Sequence, residues 1–408
     1  MRTPIYQRPD DRLELDPTRT RLSGDAEQLN IGKVGGGITR FNLSLSRFSA
    51  GFEINDVGFL QRTDQQSQSA WFALIWQRPR SIYRRLHLNF NQWLSYTVAR
   101  DALSGGPLRT EAGANVNGNM RLTNNWFVWS GLGTNNVGPT YCDVDCTRGG
   151  PAVRLSRSLN GWLGAEGDDR KRIIPSAYTS WRSADEGNTH SWSVQTAIEV
   201  RASSRLGVRV GPNYSHTIND AQFVRNSPIA GAPRQYTFGR LDQDFLAITT
   251  RVNVAATPTL SFQLYWQPFV AAGKYGSFKA LGDLPRAESY EDRYDPFGTT
   301  LRVLTPAEKE ALEGTYRVRA DFAADRDGDG TPELAIANPD FNIKQLRSNV
   351  VARWEYRPGS TLFVVWSQGR DQFDLNPGTF RSGRDLRDLF GTHPDNTFLI
   401  KASYWFNF

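Results

Sequence analysis

The sequence predicts an all-β protein: a transmembrane antiparallel β-barrel of about 14 strands, with long exterior loops and short periplasmic turns. Three observations predict it. The carboxy-terminal segment has one greasy face, apolar and polar residues alternate from about residue 38 to the end, and the links between alternating segments are short and long by turns.

In the terminal stretch, Phe398, Ile400, Ala402, Tyr404, Phe406 and Phe408 hold even positions, while Lys401, Ser403 and Asn407 hold odd ones. Successive side chains of a strand point to opposite faces, so this segment is apolar on one side and mostly wet on the other. A closing strand of this kind with an aromatic carboxy-terminus is typical of outer-membrane barrels of Gram-negative bacteria. It predicts an outer-membrane location, with outer-membrane lipid and the barrel assembly machinery as partners.

The same alternation recurs upstream. Leu86, Leu88, Phe90, Leu94 and Tyr96 oppose His87, Asn89, Asn91 and Ser95. Leu206, Val208, Val210 and Tyr214 oppose Arg205, Arg209, Asn213 and Ser215, and Leu346, Val350, Ala352, Trp354 and Tyr356 oppose Arg347, Asn349, Arg353 and Glu355. A soluble sandwich also alternates, so the links decide more. Short ones fall near 77–81, 122–125, 167–171, 202–205, 255–259 and 356–361; long polar ones fall near 49–68, 100–107, 135–150, 183–190, 220–234, 274–344 and 370–393. That asymmetry belongs to outer-membrane barrels and predicts an even strand count with both barrel ends on the periplasmic side. Residues 37–408 are assigned to the barrel, with 274–344 as its longest exterior loop, and residues 1–36 to a polar lead-in, linker or plug. The glycine-rich 32–37 stretch lacks the spacing of a phosphate loop and reads as a flexible entry to the first strand. Segments 71–76, 126–133, 173–181 and 362–366 are apolar on both faces, which predicts contact with a plug or an inward-folded loop.

Composition agrees. A mean hydropathy of −0.51 with 39% hydrophobic residues leaves no apolar run of about 20 residues, which excludes helical spans. A barrel is polar overall because lumen-facing residues alternate with lipid-facing ones, and the 12 Trp and 14 Tyr suit interfacial girdles. The net charge of +6 is spread through the chain without a like-charge block, so no nucleic-acid partner is expected. No repeat of propeller length occurs. The amino-terminal residues read as mid-sequence material without a signal peptide, so the chain is expected to be the carboxy-terminal portion of a longer one.

Several stretches carry a family resemblance. They are Gly51-Phe52-Glu53-Ile54-Asn55-Asp56-Val57-Gly58-Phe59-Leu60, Thr147-Arg148-Gly149-Gly150-Pro151, Trp266-Gln267-Pro268-Phe269, Gly273-Lys274-Tyr275 and, above all, Arg353-Trp354-Glu355-Tyr356-Arg357-Pro358-Gly359-Ser360. Together they resemble the bacterial domain-of-unknown-function family numbered 5916. The resemblance implies a membrane barrel that often follows a carbohydrate-binding module of the family 9 type. It implies no reaction or substrate.

If the greasy faces meet lipid, Arg201, Arg205, Arg209, Arg251, Arg347 and Arg353, with Glu199 and Glu355, line the lumen. Two readings stand: an ion-pair lattice that holds the barrel's shape, and a basic constriction that selects anionic or sugar solutes. Asp325, Asp327 and Asp329, at spacing 1, 3 and 5 before Gly330, match the start of a calcium loop, with Thr331 and Glu333 as further donors; the bidentate Glu is missing, since Ile336 stands there. Calcium is therefore the one cofactor expected, to stiffen a loop. Cys142 and Cys146 read as a small loop disulfide. The four His (His87, His190, His216 and His393) build no triad, and Ser215 and His216 are adjacent on a strand and so face opposite ways. The expectation is a non-enzymatic envelope barrel, either an uptake pore for a small hydrophilic solute or glycan or the anchor of an upstream sugar-binding module. An outer-membrane hydrolase and a structural or adhesive barrel are the alternatives.

Overall fold

A computed structural model describes residues 16, 18, 20–55, 57–60, 62–143, 145–229, 232–316, 320–325, 332, 334–373 and 375–406. The chain runs through β1 (Ala26–Lys33), β2 (Thr39–Phe48), β3 (Gln65–Trp76), β4 (Tyr83–Arg100), β5 (Pro107–Leu122) and β6 (Phe127–Asn135). A two-strand flap, β7 (Thr140–Cys142) with β8 (Val153–Leu155), precedes β9 (Ser158–Glu166), β10 (Ile173–Ala184), β11 (Thr189–Ser203), β12 (Leu206–Ile229), β13 (Ala232–Ala255) and β14 (Leu260–Leu281). The longest link holds β15 (Tyr294–Pro296), β16 (Leu301–Val303), α1 (Pro306–Tyr316), β17 (Phe322–Ala324) and β18 (Leu334–Ile336). The chain then continues through β19 (Phe341–Arg357), β20 (Ser360–Phe373), α2 (Ser382–Gly391) and β21 (Asp395–Ser403).

Fifteen of these strands form one continuous sheet in the order β1-β2-β3-β4-β5-β6-β9-β10-β11-β12-β13-β14-β19-β20-β21, and β15 adds to β14. Every neighbouring pair is antiparallel. Sequential neighbours need only a tight turn, and a meander of this kind places each strand beside the next. Among the described residues no helix is long and apolar enough to cross a membrane.

All tight links of one edge, 34–38, 77–82, 123–126, 167–172, 204–205, 256–259 and 358–359, lie at the same end of the sheet. At 358–359 the chain reverses through Gly359 at φ +78°, a left-handed conformation that glycine adopts without a Cβ penalty. The opposite end carries the large links 49–64, 136–157, 282–340 and 374–394.

The structure differs from the sequence reading at four places. The strand count exceeds 14, because Ala26–Lys33 pairs with β2 and the lead-in is that much shorter than 1–36. With an odd number of strands in series, the start of β1 lies at the large-loop end and the end of β21 at the tight-turn end, not both at one end. The stretches 220–229 and 274–281 are strand, not loop: polar residues there remain hydrogen-bonded in the ladder, and Lys279, buried, pairs with Asp220 at 2.6 Å. Link 185–188 is a tight turn.

The large-loop end is held down by its own small core. Phe278, Ala280, Phe297, Ala324, Leu334 and Ile336 cluster under the three-strand sheet β16-β17-β18. Arg286 spans Asp101 with two bonds of 2.7 Å. Arg293, fully buried, donates to the carbonyls of Arg154 (2.8 Å) and Ala287 (2.9 Å) and to Ser156 Oγ (2.9 Å). Helix α2 lies against the sheet through Phe390, whose ring stacks on Trp266 at 6.0 Å.

Candidate functional site: the polar face of the sheet

The strand registers sort every residue of the sheet onto one of two faces. One face is apolar. A single row across it reads Ile173, Val200, Val208, Val252, Leu264, Val350, Trp366 and Phe398, one residue from each of eight adjacent strands. Many residues of this face are open to the surroundings: Phe398 is 72% exposed, Ile400 71% and Leu163 58%. Among the described residues nothing covers these three, and contiguous exposed apolar surface of such extent marks an interaction surface.

The opposite face is polar, and it has two sectors. Over β10 to β21 it is ionic. A row across it runs Glu199, Arg209, Arg251, Tyr265, Asn349, Ser367 and Thr397. Arg201 Nε lies 2.8 Å from Glu199 and Arg209 3.6 Å from the same carboxylate. The Arg251 guanidinium sits 5.5 Å over the Tyr265 ring. Arg347 grips Asp371 through two bonds of 2.8 Å, and Arg353 lies 3.5 Å from Glu355 on its own strand. These cations are thus matched with carboxylates or a ring. Arg205 stands apart, in the two-residue turn between β11 and β12, at the rim and not on the sheet face.

Over β3 to β9 the polar face is neutral. Its four middle registers contain no Asp, Glu, Lys or Arg. They hold an amide lattice instead: Asn91 Nδ2 donates to Asn115 (2.8 Å), Asn89 Nδ2 to Asn117 (3.0 Å) and Asn117 Nδ2 to Asn115 (2.8 Å). Interleaved with the amides are indoles lying over glycines. A Cβ placed on Gly131 would sit 2.3 Å from Trp162, one on Gly113 2.4 Å from Trp93 and one on Gly164 2.1 Å from Trp129. Only glycine lets those rings lie flat against the backbone. Trp129 also stacks with Tyr178 at 6.4 Å. Trp93 and Trp162 lie outside the segments apolar on both faces; Trp71, Trp129 and Tyr178 lie within those segments. Their second apolar row faces the polar side as single rings among amides, a signal legible only once register assigns the face.

The remaining sequence candidates fall elsewhere. Cys142 and Cys146 form a disulfide in the 136–157 link. Asp325 directly follows β17, while Asp327, Asp329, Thr331 and Glu333 lie outside the described residues. Ser215 and His216 do face opposite ways, being paired with Phe245 and Asp244. His216 instead meets carboxylates across the strand: its Nδ1 lies 3.1 Å from Asp244 and 3.7 Å from Asp242, and Tyr214 also donates to Asp244. One imidazole and two carboxylates form a donor set able to hold a divalent cation. Residue spacing gives no hint of this cluster, because β12 and β13 bring it together by register.

A family model described as a domain of unknown function, DUF5916, matches residues 13–296. The chain belongs to the DUF5916 family. No curated protein matches this DUF5916 chain. A solved structure described as the copper transporter OprC aligns with it at 9% identity and a TM-score of 0.35, over 89% of this chain and 64% of that one. The chain therefore spans 64% of the transporter's length.

Proposed function

We propose that the protein is an outer-membrane β-barrel whose polar face lines a water-filled pore for small hydrophilic solutes. One observation carries this reading: an unbroken apolar row crosses eight strands on one face, and charged and amide residues occupy the other. Strands span a bilayer only when one face meets hydrocarbon and the backbone is satisfied within the sheet. Charges on the far face then need water or partners, and the matched Arg–carboxylate pairs of β11 to β20 fit a wet interior that they also brace. The tight links on one edge and the large links on the other support a periplasmic and an exterior side.

Conductance in planar bilayers tests it. Discrete channels are expected, and neutralising Arg209→Gln together with Arg251→Gln should shift the reversal potential in a salt gradient toward cation preference. Folded protein that leaves bilayer resistance unbroken overturns the pore.

A further inference from the structure

The neutral sector contains an arrangement that a water-filled pore does not require. Its aromatic rings occupy five successive registers from the large-loop end to the tight-turn end: Trp93, then Trp71, then Trp162, then Trp129 with Tyr178 beside it, then Phe127. Successive registers on one face are about 6.6 Å apart along a strand, so a ring recurs at each step with no level skipped. Each ring is half-buried, and at the tight-turn end the Arg121 guanidinium lies 5.2 Å over the Phe127 ring. Between the rings stand amides that both donate and accept, and within the four middle registers no formal charge intervenes. The ionic sector of the same face carries a shorter series, Phe269, Phe245 and Phe341 in three successive registers.

We propose that this strip is a binding track for neutral oligosaccharides, which step along it from ring to ring. The proposal rests on the pore reading and names its solute class. The chemistry selects the ligand. A pyranose ring has an apolar face of C–H groups carrying slight positive charge, which matches the negative face of an indole. Its hydroxyls each donate and accept, as the side-chain amides of Asn89, Asn91, Asn115 and Asn117 do. An anionic solute finds no cation within the four middle registers of β3 to β9; Arg85 and Arg121 stand one step further, in the register of Phe127. A purely apolar solute would strip water from the amides without replacing their hydrogen bonds, which is costly. A neutral polyol satisfies both sets of groups. The glycines serve the same end, because a side chain at Gly131 or Gly164 would push Trp162 or Trp129 off the backbone and break the series.

The test uses the full chain in detergent and in planar bilayers, with maltoheptaose and cellohexaose as neutral probes and oligogalacturonate as the anionic one. Neutral probes are expected to change tryptophan emission and to interrupt the current in a saturable way. Trp162→Ala and Trp129→Ala should each raise the half-saturating concentration about five- to tenfold, the scale of one lost aromatic contact. Trp162→Tyr should restore most of the binding, which separates a lost stack from a lost fold. Trp181→Ala, on the apolar face, should leave binding unchanged. Channels that conduct but ignore both neutral probes overturn the track and leave the pore standing. Preference for oligogalacturonate, or equal binding by Trp162→Ala and wild type, also overturns it. Saturable emission changes without any conductance would sink the pore reading and keep the sector as a sugar-binding face.

Discussion

Thr305 and Glu308 answer each other at the start of α1. The Thr305 amide and hydroxyl donate to the Glu308 carboxylate at 2.8 and 2.7 Å, and Arg302 adds an ion pair. Those bonds to Thr305 first, and then the Arg302 guanidinium, push the carboxyl down to about 2 from its ordinary 4.5. A depressed folded value means the contribution is complete above the unfolded value and fades as pH falls through the folded one. Helix α1 should therefore loosen between about pH 4.5 and pH 2, seen as faster amide exchange over 306–316, and Glu308→Gln should flatten that dependence. Such a spacing is local and legible in sequence. The Arg353–Glu355 pair is legible for the same reason, being two residues apart on one strand. Arg347–Asp371 and His216–Asp244 are not, because each joins two strands whose register no local pattern fixes.

Strands were legible wherever one face is apolar, as at Leu206 to Tyr214 and Leu346 to Tyr356, since alternation is the direct imprint of two different surroundings. The imprint fades toward the large-loop end of β12 to β14, where Phe238, Phe278 and Lys279 are buried against the long link and apolar and polar residues no longer alternate simply, so these parts read as loop. It also fades in β1, where Ala26, Gln28, Asn30 and Gly32 alternate with Glu27, Leu29, Ile31 and Lys33 and only two large apolar residues remain. Two substitutions probe elements. Phe262→Arg, on the apolar face of β14, should cost about 2–4 kcal/mol of stability in lipid, whereas Gln263→Arg next to it should cost little, as read by denaturant titration in vesicles. In the large-loop end, burial acts to raise the Asp101 carboxyl, and bonds from Arg286 and Ser104 outweigh it and hold the group well below the usual carboxylate range. Removing the guanidinium with Arg286→Ala should cost about 3–5 kcal/mol of local stability and open 282–340 to protease cleavage at temperatures where the parent resists.

At the scale of the whole molecule, the division of labour follows from one sheet having two surroundings. The apolar face keeps its apolar residues in continuous rows and carries His216, Asp242 and Asp244 only toward the large-loop end, whereas the polar face differs from strand to strand. That variation yields an ionic half and an amide–indole half on neighbouring strands. The class of fold was therefore readable from composition and period, while the sectors of its wet side needed the pairing of all fifteen strands.

Both outermost members of this meander, β1 and β21, point the same way, and among the described residues neither has a companion on its far side. In hydrocarbon, bare peptide groups are prohibitive at several kcal/mol apiece. If the sheet closes within a membrane, as proposed, parity admits two seams: a parallel junction of β1 directly on β21, or an odd number of interposed strands that keeps the ring alternating throughout. Cysteines paired between Leu29 or Ile31 and Phe398 or Ile400 should oxidise to a bridge only across the direct junction, so a single gel mobility assay reads the topology of closure.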